Sequence, residues 1–360
     1  MKKLLVSLSV LTLIASSCIN QQAEKVTEYL RNAGGAPGEI ILVMDSIKWN
    51  GALGSVVKEV FSGDVPGLPQ DEPWFTIHQV NPENLNGMLR QSRNLIFVST
   101  YEGNRRGDRI IRSYYTENSL NRIKNEPDLF MFTDHDEFAK GQNVLHLFSQ
   151  NDALLIDRIT EHREQLRGYF DEQERKHLQR KFLKAKERKG LSENLMAKHG
   201  FSIRVPFTYQ VADERDDFIW LRSFGMNVKQ SNIIISWQDY ESQQDFDLEQ
   251  LLAWRDDLGR AYVWGDDSDS YLKTETLVTP SEKAIDFKNR YAKEIRGIWK
   301  LNDNSMGGAF ISYAVLDEAS NRVYYLEGFV YNPAGQKREL LREVESVLWT
   351  FKTAKKKEVI

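Results

Sequence analysis

A single cysteine limits how this chain can hold itself together. Cys18 is the only one in 360 residues, so no internal disulfide can form and every domain must rest on a packed core. Its position is informative too. Met1 to Cys18 reads MKKLLVSLSVLTLIASSC, in which Lys2 and Lys3 precede an apolar run from Leu4 to Ile14. The small residues Ala15, Ser16 and Ser17 then lead directly to the cysteine. That order is a secretory signal peptide, with a cysteine where a bacterial lipobox puts the residue that is acylated and becomes the mature N-terminus. A plain signal peptide with an incidental cysteine is the competing reading, and the three small residues weigh against it. The apolar run is too short to span a bilayer, which needs about 20 residues. The sequence thus predicts a signal peptide at 1–17, lipidation of Cys18 and a cell-envelope location. No aspartate follows Cys18, which favours the outer membrane over the inner.

Residues 1–17 carry two of the 48 Lys+Arg and none of the 52 Asp+Glu, so the formal balance moves from −4 to −6 once they are removed. A mildly acidic chain of this kind argues for no nucleic-acid partner. Its length accommodates two ordinary domains. Eight Trp, 14 Tyr and 18 Phe suit packed cores and a contact surface.

Residues 18–37 are polar and end in Gly-Gly-Ala-Pro, which reads as a lipidated tether. An N-terminal α/β domain is predicted over 38–189. The run Glu39–Met44 reads as a buried strand, and Leu53, Val56, Val57, Val60 and Phe61 recur at helical spacing. Strands follow at Trp74–Val80 and Asn94–Thr100, around a short helix Pro82–Arg90 capped by Asn81. Residues 101–127 are charged and carry no clear period. Leu129–Phe132 and Val144–Phe148 read as two more strands. From about 151 to 188 the pattern is helical, with Leu155, Ile159, His162, Leu166 and Tyr169 on one face. Read as one helix it would run roughly 55 Å and close the first domain. Its basic end (Arg175, Lys176, Arg180, Lys181, Lys184, Lys186, Arg188, Lys189) reads as a solvated helix terminus that complements the dipole. A patch for anionic headgroups or a polyanion is the alternative, disfavoured by the acidic balance of the whole chain.

The second domain is predicted over 196–360, as a unit able to fold alone. Strands are expected at Phe201–Pro206, Phe207–Val211, Phe218–Arg222, Asn232–Trp237, Tyr271–Thr279 and Glu294–Lys300. A hairpin joins Gly307–Leu316 to Asn321–Tyr331, and helices are expected at Asp247–Leu258 and Arg338–Lys352. Strands outnumber helices and follow one another directly, which is the pattern of an antiparallel sheet flanked by helices. The fold class is therefore α+β.

The motifs Gly200-Phe-Ser-Ile-Arg-Val-Pro206, Phe218-Ile-Trp-Leu-Arg222, Arg255-Asp256, Ser270-Tyr271 with Thr274-Glu275, Gly307-Gly308 and Glu327-Gly-Phe-Val-Tyr-Asn-Pro333 followed by Lys337-Arg338 make a spaced set. With them the chain resembles a Bacteroidetes lipoprotein family catalogued as a domain of unknown function. The resemblance implies a Gram-negative envelope and brings no activity, cofactor or catalytic residue. Residues 196–360 also resemble PsbP-like domains in the order of their elements, an analogy of architecture alone.

Little in the sequence points to catalysis. Thr133-Asp-His-Asp-Glu137 has ligand-type residues in a row, but neighbours in a loop seldom converge on one ion, so it reads as a charged loop. Gly265–Ser270 lacks the glycine and closing glutamate of a calcium loop and reads as a turn. Gly-x-Ser-x-Gly and the P-loop are absent. No metal or cofactor is expected, and the protein reads as a non-enzymatic binding or accessory module with an envelope protein or glycan as partner. The alternative is a carboxylate-dependent envelope hydrolase using Asp256, Asp266 or Asp269. For binding, Arg255, Trp264 and Tyr271 are the candidate contact residues, with the loop Asn332–Gln336 beside them, because Trp, Tyr and Arg dominate binding hot spots. The competing reading makes Trp254 and Trp264 anchors of a helix on the sheet.

Overall fold

A computed structural model describes residues 30–224, 229–265, 267, 269–333 and 335–354. Cys18 and the rest of residues 1–29 lie outside the described residues. The chain forms two compact units, one through Val57 and over Ile77–His162, the other from Lys58–Thr76 and Arg163 onward.

The first unit is built around three central strands that are buried on both faces. Strands β1 (Glu39–Val43), β3 (Asn94–Thr100) and β5 (Asn143–Ser149) are parallel, and β4 (Met131–His135) runs antiparallel to β5. With β2 (Thr76–Val80) the sheet order is β2-β1-β3-β5-β4. Every residue of β3 and β5 is buried, as a parallel sheet covered on both faces requires. The short helix α1 (Ser46–Trp49) is capped by Asp45, and α2 (Ala52–Ser62) follows. Asn81 makes no side-chain cap; its Oδ1 accepts from the Ser46 amide (2.9 Å) instead. Asn86 caps α3 (Gly87–Arg90), which is all that forms of the expected Pro82–Arg90 helix beyond one 3₁₀ turn. The charged stretch 101–127 holds two helices, α4 (Arg106–Arg112) and α5 (Glu117–Asn125). At the carboxyl ends of the parallel strands Lys48 donates to Thr100 (2.6 Å) and Asp152 (2.7 Å) and lies 3.1 Å from buried Asp108. These charges neutralise one another and tie the strand ends together.

The expected long helix is three. Helix α6 (Asp152–Glu161) ends at His162, whose ring stacks on Phe130. Helices α7 (Arg163–Ala185) and α8 (Lys189–His199) follow. Leu155 and Ile159 are buried in α6, and Leu166, Phe170, Leu178 and Leu183 in α7. The compact units divide at His162/Arg163, so α7 packs with the second unit. The segment Lys58–Thr76 also belongs to the second unit, where Phe61 and Phe75 meet Phe170 edge-on. Local periodicity does not register this because it is blind to which core a buried face joins.

The second unit is an antiparallel sheet. Its strands are β7 (Tyr209–Glu214), β8 (Phe218–Phe224), β9 (Gln230–Asp239), β10 (Leu272–Thr274), β11 (Ser281–Asp286), β12 (Tyr291–Leu301), β13 (Gly307–Asp317) and β14 (Arg322–Tyr331). The order is β10-β12-β13-β14-β9-β8-β7, with β11 paired to β12 beyond β10. The expected hairpin closes with Asp317 opposite Arg322. Alternate residues face opposite ways. Ile311, Tyr313, Tyr324 and Leu326 join Val344 and Leu348 of α10 (Arg338–Leu348) in one core. Phe310, Trp299 and Tyr325 join Leu251 and Leu258 of α9 (Leu248–Tyr262) in the other. Gly308 is required here, since a Cβ on it would sit 2.1 Å from the Val330 carbonyl oxygen. Two-residue strands β6 (Phe201–Ser202) and β15 (Lys352–Thr353) pair with each other. The fold is α+β, with the sheet flanked by helices.

Candidate functional site: a groove beside an edge strand

Helix α7 carries Glu164, Gly168, Asp171, Arg175 and Gln179 at three- and four-residue spacing, hence on one face. That face looks onto β11 across three adjoining cavities of about 480, 170 and 440 Å³. The middle one shares Gly168, Arg175, Asp286 and Trp349 with the first, and Trp74, Arg167, Lys283 and Arg296 with the third. Together they make one continuous groove within the second unit.

The groove floor is a network of charges. Glu345 of α10 accepts from Arg175 (2.9 Å), Arg296 (3.4 Å) and the Tyr313 hydroxyl (2.8 Å). Asp171 accepts from Arg175 (2.8 Å) and Arg342 (3.3 Å), and Glu294 from Arg296 (2.9 Å). Burial pushes the Asp171 carboxyl up, but Arg175, Arg342 and Arg296 together hold it below its ordinary value. Glu294 is likewise held down, against burial, by Arg296 and Lys283. Burial pushes the Tyr313 phenol well up, and Glu345 adds to it. Asp171 and Glu294 are thus kept ionised by the arginines around them, and Glu345 is engaged by three donors, which suits a rigid surface. The two tryptophans are engaged as well. The Arg175 guanidinium lies 4.4 Å from the Trp349 ring centroid, and those of Arg167 and Arg296 lie 4.8 and 5.1 Å from that of Trp74.

The wall opposite α7 is unfinished. β11 pairs with β12 through Ser281–Asp286, and among the described residues no strand pairs with its other edge. The hairpin closes with the Phe287 amide donating to the Arg290 carbonyl, through Lys288 and Asn289 at φ 58° and 65°. In an antiparallel ladder hydrogen-bonded and non-hydrogen-bonded pairs alternate. From 287:290 the alternation points the N–H and C=O groups of Glu282, Ala284 and Asp286 away from β12. Ile285 and Phe287 pack on the core side and fix the register. Sequence reasoning missed β11, although Lys283, Ile285 and Phe287 alternate with Glu282, Ala284 and Asp286 after Pro280; its high charge concealed the period.

The predicted contact residues do not form one site. Arg255 is 1% exposed and makes paired bonds of 2.9 Å to Glu327, itself fully buried, and a third of 3.0 Å to Thr274. It is therefore corrected from contact residue to core ion pair. Its guanidinium also lies 4.1 Å from the Phe310 ring centroid. Trp264 is 47% exposed, bridges Tyr271 through the backbone, and does not anchor the helix; Tyr271 lies under Arg260 (5.3 Å). Trp254 is the residue that packs on the sheet, against Tyr325. Asn332 is buried and donates to the Gln336 carbonyl. Asp256 accepts from the amide and hydroxyl of Thr274 (both 2.7 Å), which ties it to the end of β10; Asp266 lies outside the described residues. Thr133–His135 is the end of β4, and Glu137 faces His146 at 3.4 Å.

Two family models match the chain. Residues 33–183 match a domain of unknown function (DUF8532), and residues 188–350 match another (DUF4837). Neither match covers half of the chain. The junction between the matches lies at the end of α7, close to the expected boundary and C-terminal to the division between the compact units. No curated protein matches. A solved structure from Bacteroides thetaiotaomicron is similar over 44% of this chain, at 13% identity and a TM-score of 0.27. The chain spans about half the length of that structure, 47%. A mutant of the protein Mog1 is similar over 43% of this chain and 91% of its own, at 9% identity and a TM-score of 0.27.

Proposed function

We propose that this protein is a lipid-anchored, non-enzymatic binding module of the bacterial envelope, which takes an extended segment of a partner protein against β11. The observation that carries the reading is the open edge of β11 beside the α7 groove. Its outward amides and carbonyls offer a ladder to an incoming strand, while the groove gives room for alternate side chains. Ion-paired acids on the groove floor support binding over hydrolysis. The anchor rests on Met1–Cys18 and places the module at a membrane surface.

Ala284→Pro tests the edge. Proline there removes an outward donor without breaking the β12 ladder, so folding should be retained. With a photo-crosslinking residue in place of Lys283, one envelope partner should be captured by the parent protein and lost, at least tenfold, in the Ala284→Pro protein. Undiminished capture by a folded Ala284→Pro protein would refute the edge-strand reading. The anchor is tested separately: Cys18→Ala should shift the protein from the membrane to the soluble fraction and abolish fatty-acid labelling. Label retained on that variant would end the lipid assignment.

A further inference from the structure

At one end of the second sheet two phenylalanines stand in solvent. Phe207 is 59% and Phe224 is 65% exposed, against the ordinary preference of this side chain for the interior. Register brings both to one end of a strand pair: Tyr209 pairs with Ser223, so Phe207, just before β7, and Phe224, at the end of β8, emerge at the same end of β7 and β8. Each ring has cations beside it. The Lys186 carbonyl accepts from the Phe207 amide (3.1 Å), and the Lys186 ammonium and the Arg188 guanidinium lie 5.9 and 5.7 Å from the Phe207 ring. The Arg222 guanidinium lies 4.5 Å from the Phe224 ring, and Gln230, opposite Phe224, follows exposed Lys229.

The acids on this side are ion-paired or partly protonated near neutral pH. Glu187 binds Arg204 in paired bonds of 2.8 and 3.1 Å. The Glu343 carboxyl, in the field of Lys181 and Lys229, is pushed up to about 7, chiefly by burial. What remains is two exposed aromatic rings within a collar of Lys186, Arg188, Arg222 and Lys229. Clustered basic residues attract an anionic bilayer surface, and exposed aromatics enter its interfacial layer.

We infer that this aromatic and cationic end of the second sheet is a membrane-docking surface for anionic phospholipid, separate from the lipid anchor and from the β11 groove. The basic run at the end of α7 is thereby more than a solvated helix terminus, because it continues onto rings that have no place in a core. A membrane fits both features at once, whereas a soluble polyanion would use the charges alone.

The test is sedimentation of the mature chain, with Cys18→Ala to remove the acyl anchor, on vesicles of phosphatidylglycerol mixed with phosphatidylethanolamine or of phosphatidylcholine alone. The protein should sediment with the anionic vesicles and not with phosphatidylcholine, and salt should weaken the binding. Phe207→Ser with Phe224→Ser should weaken it about tenfold, and Lys186→Glu with Lys229→Glu by at least about tenfold. Trp264→Ser, an exposed aromatic elsewhere, serves as control and should leave binding unchanged. Three results would overturn the inference: no binding to anionic vesicles, equal binding to both vesicle types, or loss on charge reversal with none on removal of the phenylalanines. The last would assign the patch to a soluble polyanion.

Discussion

Arg255→Ala should destabilise the protein by about 3–5 kcal/mol, because it leaves Glu327 as a fully buried, unpaired carboxylate between the sheet and α9. Glu327 would keep only the Tyr325 hydroxyl (2.6 Å) among its present side-chain partners. Trp264→Ala should cost under about 1 kcal/mol, since nearly half of that side chain is already in water. Urea melts of the two variants beside the parent protein measure the difference directly. Similar losses in both would show that Arg255 is not the core pair described above. Arg255→Lys should not rescue the fold, because an ammonium cannot span both Glu327 oxygens and Thr274 together.

A fragment of residues 196–360 should fail to fold cooperatively. The sequence taken alone predicts the opposite, yet this fragment removes α7 and the segment 58–76 from a shared core. Arg175 and Asp171, lost with α7, are partners of Glu345 and Arg342. Gln179 donates to the Ser346 carbonyl (2.8 Å), so α10 loses its neighbour along its length. The other loss is Glu72, whose carboxylate receives the Lys337 and Arg338 amides (2.7 and 3.0 Å) at the start of α10. No side chain of α10's own N-cap residue, Lys337, makes that bond; the cap is borrowed from 265 residues away. Arg342, buried, also donates to the Trp74 carbonyl (3.0 Å). Circular dichroism during heating should show a broad, non-cooperative change for the fragment. A sharp transition at the parent midpoint would restore the boundary near residue 189.

Local pattern carried much of the fold. The apolar runs of β1, β3 and β5 are fully legible because both faces of a parallel strand are buried. The hairpin of β13 and β14 is legible because polar turn residues separate two apolar strands. Helix α10 shows its buried stripe of Leu341, Val344, Val347 and Leu348 in the spacing itself. The charged edge strand β11 is not legible, since an edge strand with one solvated face has no apolar run to announce it.

What the sequence determined by itself is therefore local: the identity of most elements, and an α+β order with a core that must hold without disulfides. Tertiary structure alone decided which helix closes which core, that Arg255 is a buried pair and Trp264 a surface ring, and that Phe207 and Phe224 share one exposed end. The physical reason is common to all three. Periodicity shows that a face is buried or that a side chain is polar, but the partner of a charge and the cover of an apolar surface come from residues far away in the chain. Glu327 lies 72 residues from Arg255, and nothing in the neighbourhood of either announces the other.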